Sequence, residues 1–129
     1  AEAADLARRL GRIDDGLAYL DEGFEAVSDG LDASFRAELW RARAELVAMR
    51  DPTSDEAARC FTRAIESARR DGALSFELRA GTALARWYAA RRHSRDGAEV
   101  LAPLLARMRE GAETADVRHA HALLLSLAT

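Results

Sequence analysis

Three residue types are missing from this chain altogether: it has no lysine, no asparagine and no glutamine, so all 19 basic side chains are arginine. With the abundance of alanine, that bias reads as a GC-rich bacterial coding sequence rather than a functional device; an Arg-rich binding surface would require the arginines to cluster. A single cysteine, Cys60, excludes an internal disulfide. It lies between Arg59 and Phe61 in a helical run, where a small buried residue fits. No apolar run approaches the length of a membrane span. The opening AEAADLARRL has the pattern of an amphipathic helix rather than a signal peptide. A cytoplasmic protein without membrane contact is therefore expected. The net charge of −3 leaves little of the bulk attraction on which nucleic-acid binders depend. What remains, 129 residues of which 49% are hydrophobic and 32% charged, suits one domain with a genuine core.

The elements of catalysis are missing too. The sequence has no glycine-rich phosphate loop, no GxSxG and no Cys/His pairing with an orienting acid. His119 and His121 are two apart on one helix and point to different faces, and His93 falls in a turn, so no metal spacing arises. Carboxylate pairs such as Asp14-Asp15, Asp21-Glu22 and Asp55-Glu56 fall near expected helix N-termini, where the macrodipole accounts for them. The reading is of a non-enzyme with no cofactor and no metal.

What the chain does have is an internal repeat. At an offset of about 41 residues Ser34 falls on Ser75, Phe35 on Phe76, Ala42 on Ala83, Ala44 on Ala85, Ala48 on Ala89 and Arg50 on Arg91, with one further helical segment between the copies. Repeats of this size are supersecondary units that bury a continuous core only by stacking. The expected fold class is all-α: a helical-hairpin solenoid of about three pairs, with hairpins at about 1–30, 33–72 and 73–110 and a closing helix at about 114–128. The chain is expected to be a piece of a larger protein.

In chain order, seven helices are expected. The first covers residues 1–10, with Gly11-Arg12 as a turn. The second opens at Asp14 or Asp15, carries Leu17, Leu20, Phe24 and Val27, and stops at Gly30. The third, about Ser34 to Met49, shows one polar stripe (Ser34, Glu38, Arg41, Glu45) and two apolar faces that include Phe35, so it must pack on two sides. Pro52 ends it, and Thr53 with Glu56 three residues on predicts a capping box for a fourth helix closed by Gly72. The fifth, about Leu74 to Arg91, repeats the third, with the stripe Ser75, Arg79, Thr82 and Arg86. Ser94 is expected to cap a sixth helix kinked at Pro103. After Gly111, Thr114 is expected to cap a seventh, with Val117, Ala120, Leu124 and Leu127 inward.

The second helices of the pairs carry a small, large, small spacing: Gly16-Leu20-Gly23, Ala57-Phe61-Ala64 and, less well kept, Gly97-Leu101-Leu104. This spacing resembles the tetratricopeptide repeat, although a period of 40 to 41 is that of armadillo or HEAT pairs. A narrower resemblance spans nearly the whole chain. GRIDDGLAYLDEGF, EAARCFTRAIESARRDGALSFELRAGTALARWY, VLAPLLARM and TADVRHAHALL look like the C-terminal repeats of large bacterial signalling proteins, which carry a nucleotide-cyclase-like or DNA-binding domain and a signal-transduction ATPase upstream. Arg92 stands where that family has a turn glycine. The resemblance implies a sensor or docking arm that regulates an upstream ATPase or cyclase.

Two side-chain groups are read as structural: Arg69-Arg70 and Arg91-Arg92-Arg95 as complements to helix C-termini, and Trp40, Trp87 and Tyr88 as core. The polar stripe remains as the candidate site. Glu38, Arg41, Glu45, Arg79, Thr82 and Arg86 are expected to share one concave groove, with Arg41, Arg79 and Arg86 able to hold a carboxylate bidentately. The expected function is a protein–protein interaction scaffold for a peptide, a partner domain or the upstream domains of its own parent; the alternative is a small-ligand sensor. Leu6, Leu10, Leu17 and Phe24 are more apolar positions than one packed side needs, which predicts a two-fold dimer through residues 1–30.

Overall fold

The computed structural model describes residues 2–26, 33–108 and 114–128, with the side chains of 2–8, 26, 33 and 34 left aside. Within these residues the chain is all helix: α1 (Glu2–Ala26), α2 (Ala33–Arg50), α3 (Glu56–Arg70), α4 (Leu74–Ala90), α5 (Ser94–Ala106) and α6 (Ala115–Leu127). None is long and apolar enough to cross a membrane. Val27, Gly30, Gly111 and the side chains of Leu6 and Ser34 lie outside the described set.

The first expected hairpin is not formed, because residues 2–26 make one continuous helix. Glycine at position 11 costs a helix about 1 kcal/mol but does not break it as proline would. The apolar series Leu10, Ile13, Leu17 runs through the expected turn at helical spacing, and Ile13 and Leu17 are buried in the core. That continuous face packs on α2, and the packing outweighs the local glycine signal. Glycine still matters further along α1. A Cβ at Gly16 would come within 3.0 Å of Leu46 Cδ1 and one at Gly23 within 3.1 Å of Leu39 Cδ2, so the first small, large, small triplet is where two helices approach closely. Leu10, Leu17 and Phe24 are therefore used inside the chain, the last stacked on Trp40 at 4.7 Å. Among the described side chains of α1, the large apolar one that is exposed is Tyr19.

Each helix packs on its chain neighbours, and in addition α2 touches α4 and α4 touches α6, whereas α1 and α3, or α3 and α5, do not meet. The helices α2, α4 and α6 thus form a contiguous row, and they begin at residues 33, 74 and 115, 41 residues apart each time. The helix expected to close the stack is in register with the repeat. Two buried clusters lie on either side of α4. Leu84 joins Ile13, Leu17, Val47 and Phe61, while Leu78 and Ala85 join Leu101, Leu104 and Val117. This is the two-sided burial that a single polar stripe predicts. Phe35, expected on an apolar face of α2, is instead 50% exposed.

Two of the three expected side-chain caps are not formed. Thr53 makes no capping box: its hydroxyl and backbone N–H both donate to Asp51, holding that carboxyl below its usual pKa, and α3 starts only at Glu56. Ser94 is the first residue of α5 and gives no side-chain cap, whereas Thr114 does cap α6, accepting from Val117 N. Helix α5 continues through Pro103, whose ring is exposed. The turns after α3 and α4 share one geometry. Gly72 (φ 67) and Arg92 (φ 63) are both left-handed, and the next N–H closes the six-to-one bond, Ala73 to Ala68 O at 2.9 Å and His93 to Tyr88 O at 2.8 Å. Arg92 holds the glycine conformation at a cost of about 1 kcal/mol.

Two arginines read as helix-dipole complements, Arg69 and Arg91, turn out to be ties between helices. Arg69 at the end of α3 and Arg107 at the end of α5 both donate to the Glu77 carboxylate in the first turn of α4, at 2.9 Å each. Glu77 is 0% exposed, among the largest fully buried side chains. Arg91 reaches back from the end of α4 to Asp55 Oδ1 at 3.0 Å while stacking 4.3 Å over Trp87.

Two measurements test this packing. Because the arginine heads stay half-exposed while the carboxylate is sealed, removing the cations leaves a buried charge and removing the carboxylate does not. The double variant R69A/R107A is expected to lose about 3–5 kcal/mol in urea unfolding, whereas Glu77→Leu stays within about 1 kcal/mol of wild type. Glycine substitutions should split likewise. Gly11→Ala, with nothing within 4 Å of its Cβ, gains up to about 1 kcal/mol. Gly97→Ala, whose Cβ would lie 2.9 Å from the Ala85 carbonyl oxygen, loses about 1–3 kcal/mol.

Candidate functional site

On α2, Glu38, Arg41 and Glu45 recur at helical spacing on one edge; on α4, Arg79, Thr82 and Arg86 do the same. Because α2, α4 and α6 run side by side, these edges meet in a polar cavity of about 300 Å³ lined by Arg41, Glu45, Arg79, Thr82, Ala83, Arg86, Asp116 and His119. Five of the six residues expected to share a groove line it. The sixth, Glu38, sits behind them and accepts from Arg41 Nη2 at 2.6 Å and Nε at 2.9 Å.

The structure corrects the chemistry expected of the three arginines. Arg41 is bound on both sides, by Glu38 and by Glu45 Oε1 at 2.9 Å. Arg79 is bound to Asp116 Oδ2 at 3.0 Å, approaches Glu38 Oε1 at 3.5 Å and lies over the Phe76 ring at 5.4 Å. The hydrogen bond and charge of Asp116 raise the pKa of Arg79 above the usual arginine value, with Glu38 adding to it. A three-arginine clamp is therefore not present in this state. Only Arg86 is exposed and without a partner among the described residues. Three guanidinium groups face three carboxylates, so the ring is charge-balanced, with Arg86 its one uncommitted cation.

Among the described residues two buried oxygens, Glu38 Oε1 and Thr82 Oγ1, make no hydrogen bond, although the first is ion-paired with Arg79 at 3.5 Å. Such groups are costly to leave unpaired, and both lie at this row of helices.

Asp116 and His119 were missed in the sequence because α6 reads as a terminal closing element. The signal was there: the offset that maps Ser34 onto Ser75 maps Ser75 onto Asp116. Elsewhere, Trp40, Trp87 and Tyr88 pack half-buried against the core, as expected. Cys60 is buried, and the burial raises its thiol pKa, keeping it protonated and a poor nucleophile. Among the described residues no cluster of three His, Cys, Asp or Glu side chains is placed to hold a metal ion.

No protein-family model, no curated protein and no solved structure matches this chain. Function must therefore be argued from the groove itself.

The Arg79–Asp116 pair joins α4 to α6 across solvent-accessible ground, where such pairs contribute little. A double-mutant cycle on R79A and D116A should give a coupling of about 0.2–1 kcal/mol. Arg86→Ala should leave Tm unchanged by thermal melting, since nothing in the fold uses its guanidinium.

Proposed function

We propose that this chain is a non-catalytic docking module, a tetratricopeptide-like helical-repeat arm in the bacterial cytoplasm that binds an extended segment of a partner protein along α2, α4 and α6. The single observation carrying this reading is the groove's combination of an ordered, internally neutralised polar wall with one unengaged cation, Arg86. A wall of mutually held ion pairs is pre-organised, so a bound segment does not have to order it. A partner carboxylate gains a charge-assisted fork at Arg86 without first displacing an intrachain acid. The exposed carboxylates of Glu45 and Asp116 favour basic or amide-donating groups beside it.

A small-ligand sensor is the second reading, and it fits less well. Pockets that engulf small molecules are mostly apolar and aromatic-lined; this one has no Phe, Tyr or Trp among its lining residues. On the docking reading, the partner is either a separate protein or an upstream domain of the same parent, as in the signalling proteins whose C-terminal repeats this chain resembles.

Fluorescence anisotropy against an array of acidic and neutralised unstructured peptides tests the proposal. Acidic peptides should bind the wild type, and Arg86→Ala should weaken them about ten-fold, a loss of about 1.4 kcal/mol. Arg95→Ala, on the exposed face of α5, should change nothing. Equal binding by the Arg86 variant, or no preference for acidic peptides, counts against the groove.

A further inference from the structure

A second polar cavity, of about 250 Å³, lies between the C-terminal half of α1, the start of α2 and the end of α3. It is separate from the groove and shares no residue with it. Its wall is aromatic: Phe24 and Trp40 meet with ring centroids 4.7 Å apart, and the Arg63 guanidinium lies 5.1 Å over the Trp40 ring. Arg63 and Arg70 both line the cavity, one on each side of Ser67 along α3. Neither forms an ion pair among the described residues, although the Glu66 carboxylate lines the same cavity; Arg36, the third arginine of the lining, is engaged by another group. An arginine beside an acid of its own helix ordinarily pairs with it when nothing else orients it; here the cation–π contact holds Arg63 against Trp40 instead.

Ser67 supplies the independent observation. It is 7% exposed, lines this cavity, and its hydroxyl has no hydrogen-bond partner among the described residues. A helical serine commonly relieves such a hydroxyl on the carbonyl four residues back, as Thr62 does with Ala58 O one turn earlier. The Ser67 hydroxyl is left over, on the same wall as two guanidinium groups that form no ion pair with the Glu66 carboxylate beside them.

We propose that this cavity is a binding site for a phosphate monoester, held by Arg63 and Arg70 with the Ser67 hydroxyl as a third donor. The donor inventory selects the class. One planar guanidinium fork satisfies the two oxygens of a carboxylate. Two unpaired forks and a hydroxyl lining one cavity exceed that demand and match the three terminal oxygens of a phosphate monoester, which carries close to two negative charges near neutral pH. Helix dipoles do not decide the matter, because the start of α2 and the end of α3 sit side by side with opposite signs. The attraction is that of the arginines. Phe24 and Trp40 present an apolar border to the organic part of the ester.

The chain has two tryptophans, so Trp87→Phe leaves Trp40 as a local reporter. In that background, inorganic phosphate and methyl phosphate are titrated against acetate at matched ionic strength. Trp40 emission and the 31P line width are followed together, the second because Arg63→Ala alters the indole environment by itself. The phosphates should give saturable changes in both signals, with acetate needing about ten-fold more. Arg63→Ala and Arg70→Ala should each raise the half-saturation point about ten-fold and Ser67→Ala several-fold, with circular dichroism unchanged. Arg86→Ala should have no effect, which separates this site from the groove. A non-saturating response shared by wild type and variants, or acetate binding as well as phosphate, overturns the assignment.

Discussion

One carboxylate organises the arrangement of α3, α4 and α5. Glu77 is sealed from water in the first turn of α4, where the helix dipole favours a negative charge, and it accepts from an arginine at the end of each flanking helix. A buried carboxylate is unfavourable unless every oxygen is engaged, so α3 and α5 must end where Arg69 and Arg107 reach it. The contact makes the packing specific more than it makes it strong. The apolar clusters on either side of α4 supply the bulk of the burial, but apolar surfaces tolerate sliding by a helical turn in a way that a three-membered ion network does not. The Gly72 turn and the Arg69–Glu77 contact fix the α3–α4 crossing at the same end, where the two helices join.

The same logic, moved to the solvent edge, produces the groove. Along α2, α4 and α6 the charges are again paired, Glu38 with Arg41, Arg41 with Glu45 and Arg79 with Asp116, but here water reaches most of them. Pairs of this kind contribute little stability; what they do is hold long side chains in place. A surface whose arginines are already immobilised offers a partner a shape rather than a loose cationic brush, and it concentrates the available attraction at the one guanidinium left out, Arg86. Selectivity on such a surface comes from where the unmatched charge sits relative to fixed ones.

Arginine carries more of this structure than its use as the only basic residue first implies. Arg69 and Arg107 seal a carboxylate, Arg91 ties the end of α4 to the start of α3 while stacking on Trp87, and Arg63 stacks on Trp40. All these roles use the planar, multi-donor guanidinium, and a lysine ammonium would satisfy few of them. A compositional bias of genomic origin and a structural use are compatible: the fold exploits the cation it has. The arginines that matter do cluster, but across helices rather than along the sequence.

Much of the fold was legible from order and period. The 41-residue offset, the single polar stripe on each of two helices, and the small residues at Gly16, Gly23, Ala57 and Ala64 follow from patterns that any stacked-helix arrangement must write into its sequence, because side chains at helical spacing have to meet a neighbour or water. Five of the six groove residues line one cavity for the same reason. What failed were the readings in which a local signal competes with a distant contact. Gly11-Arg12 looks like a turn until the apolar face running through it is seen to lie on α2. Thr53 is the exception, a cap lost to another local partner, because Asp51 two residues back takes its hydroxyl. The arginine pairs look like dipole complements until Glu77 and Asp55 are found beside them. The periodicity of the sequence by itself determined that helices form, where most of them begin, and which faces are polar. Only tertiary structure decided which charges neutralise one another, and so that Arg86 is the guanidinium of the groove left unpaired, because such pairing depends on distances of a few ångströms between residues 30 or more positions apart, such as Arg79 with Asp116 and Glu77 with Arg107.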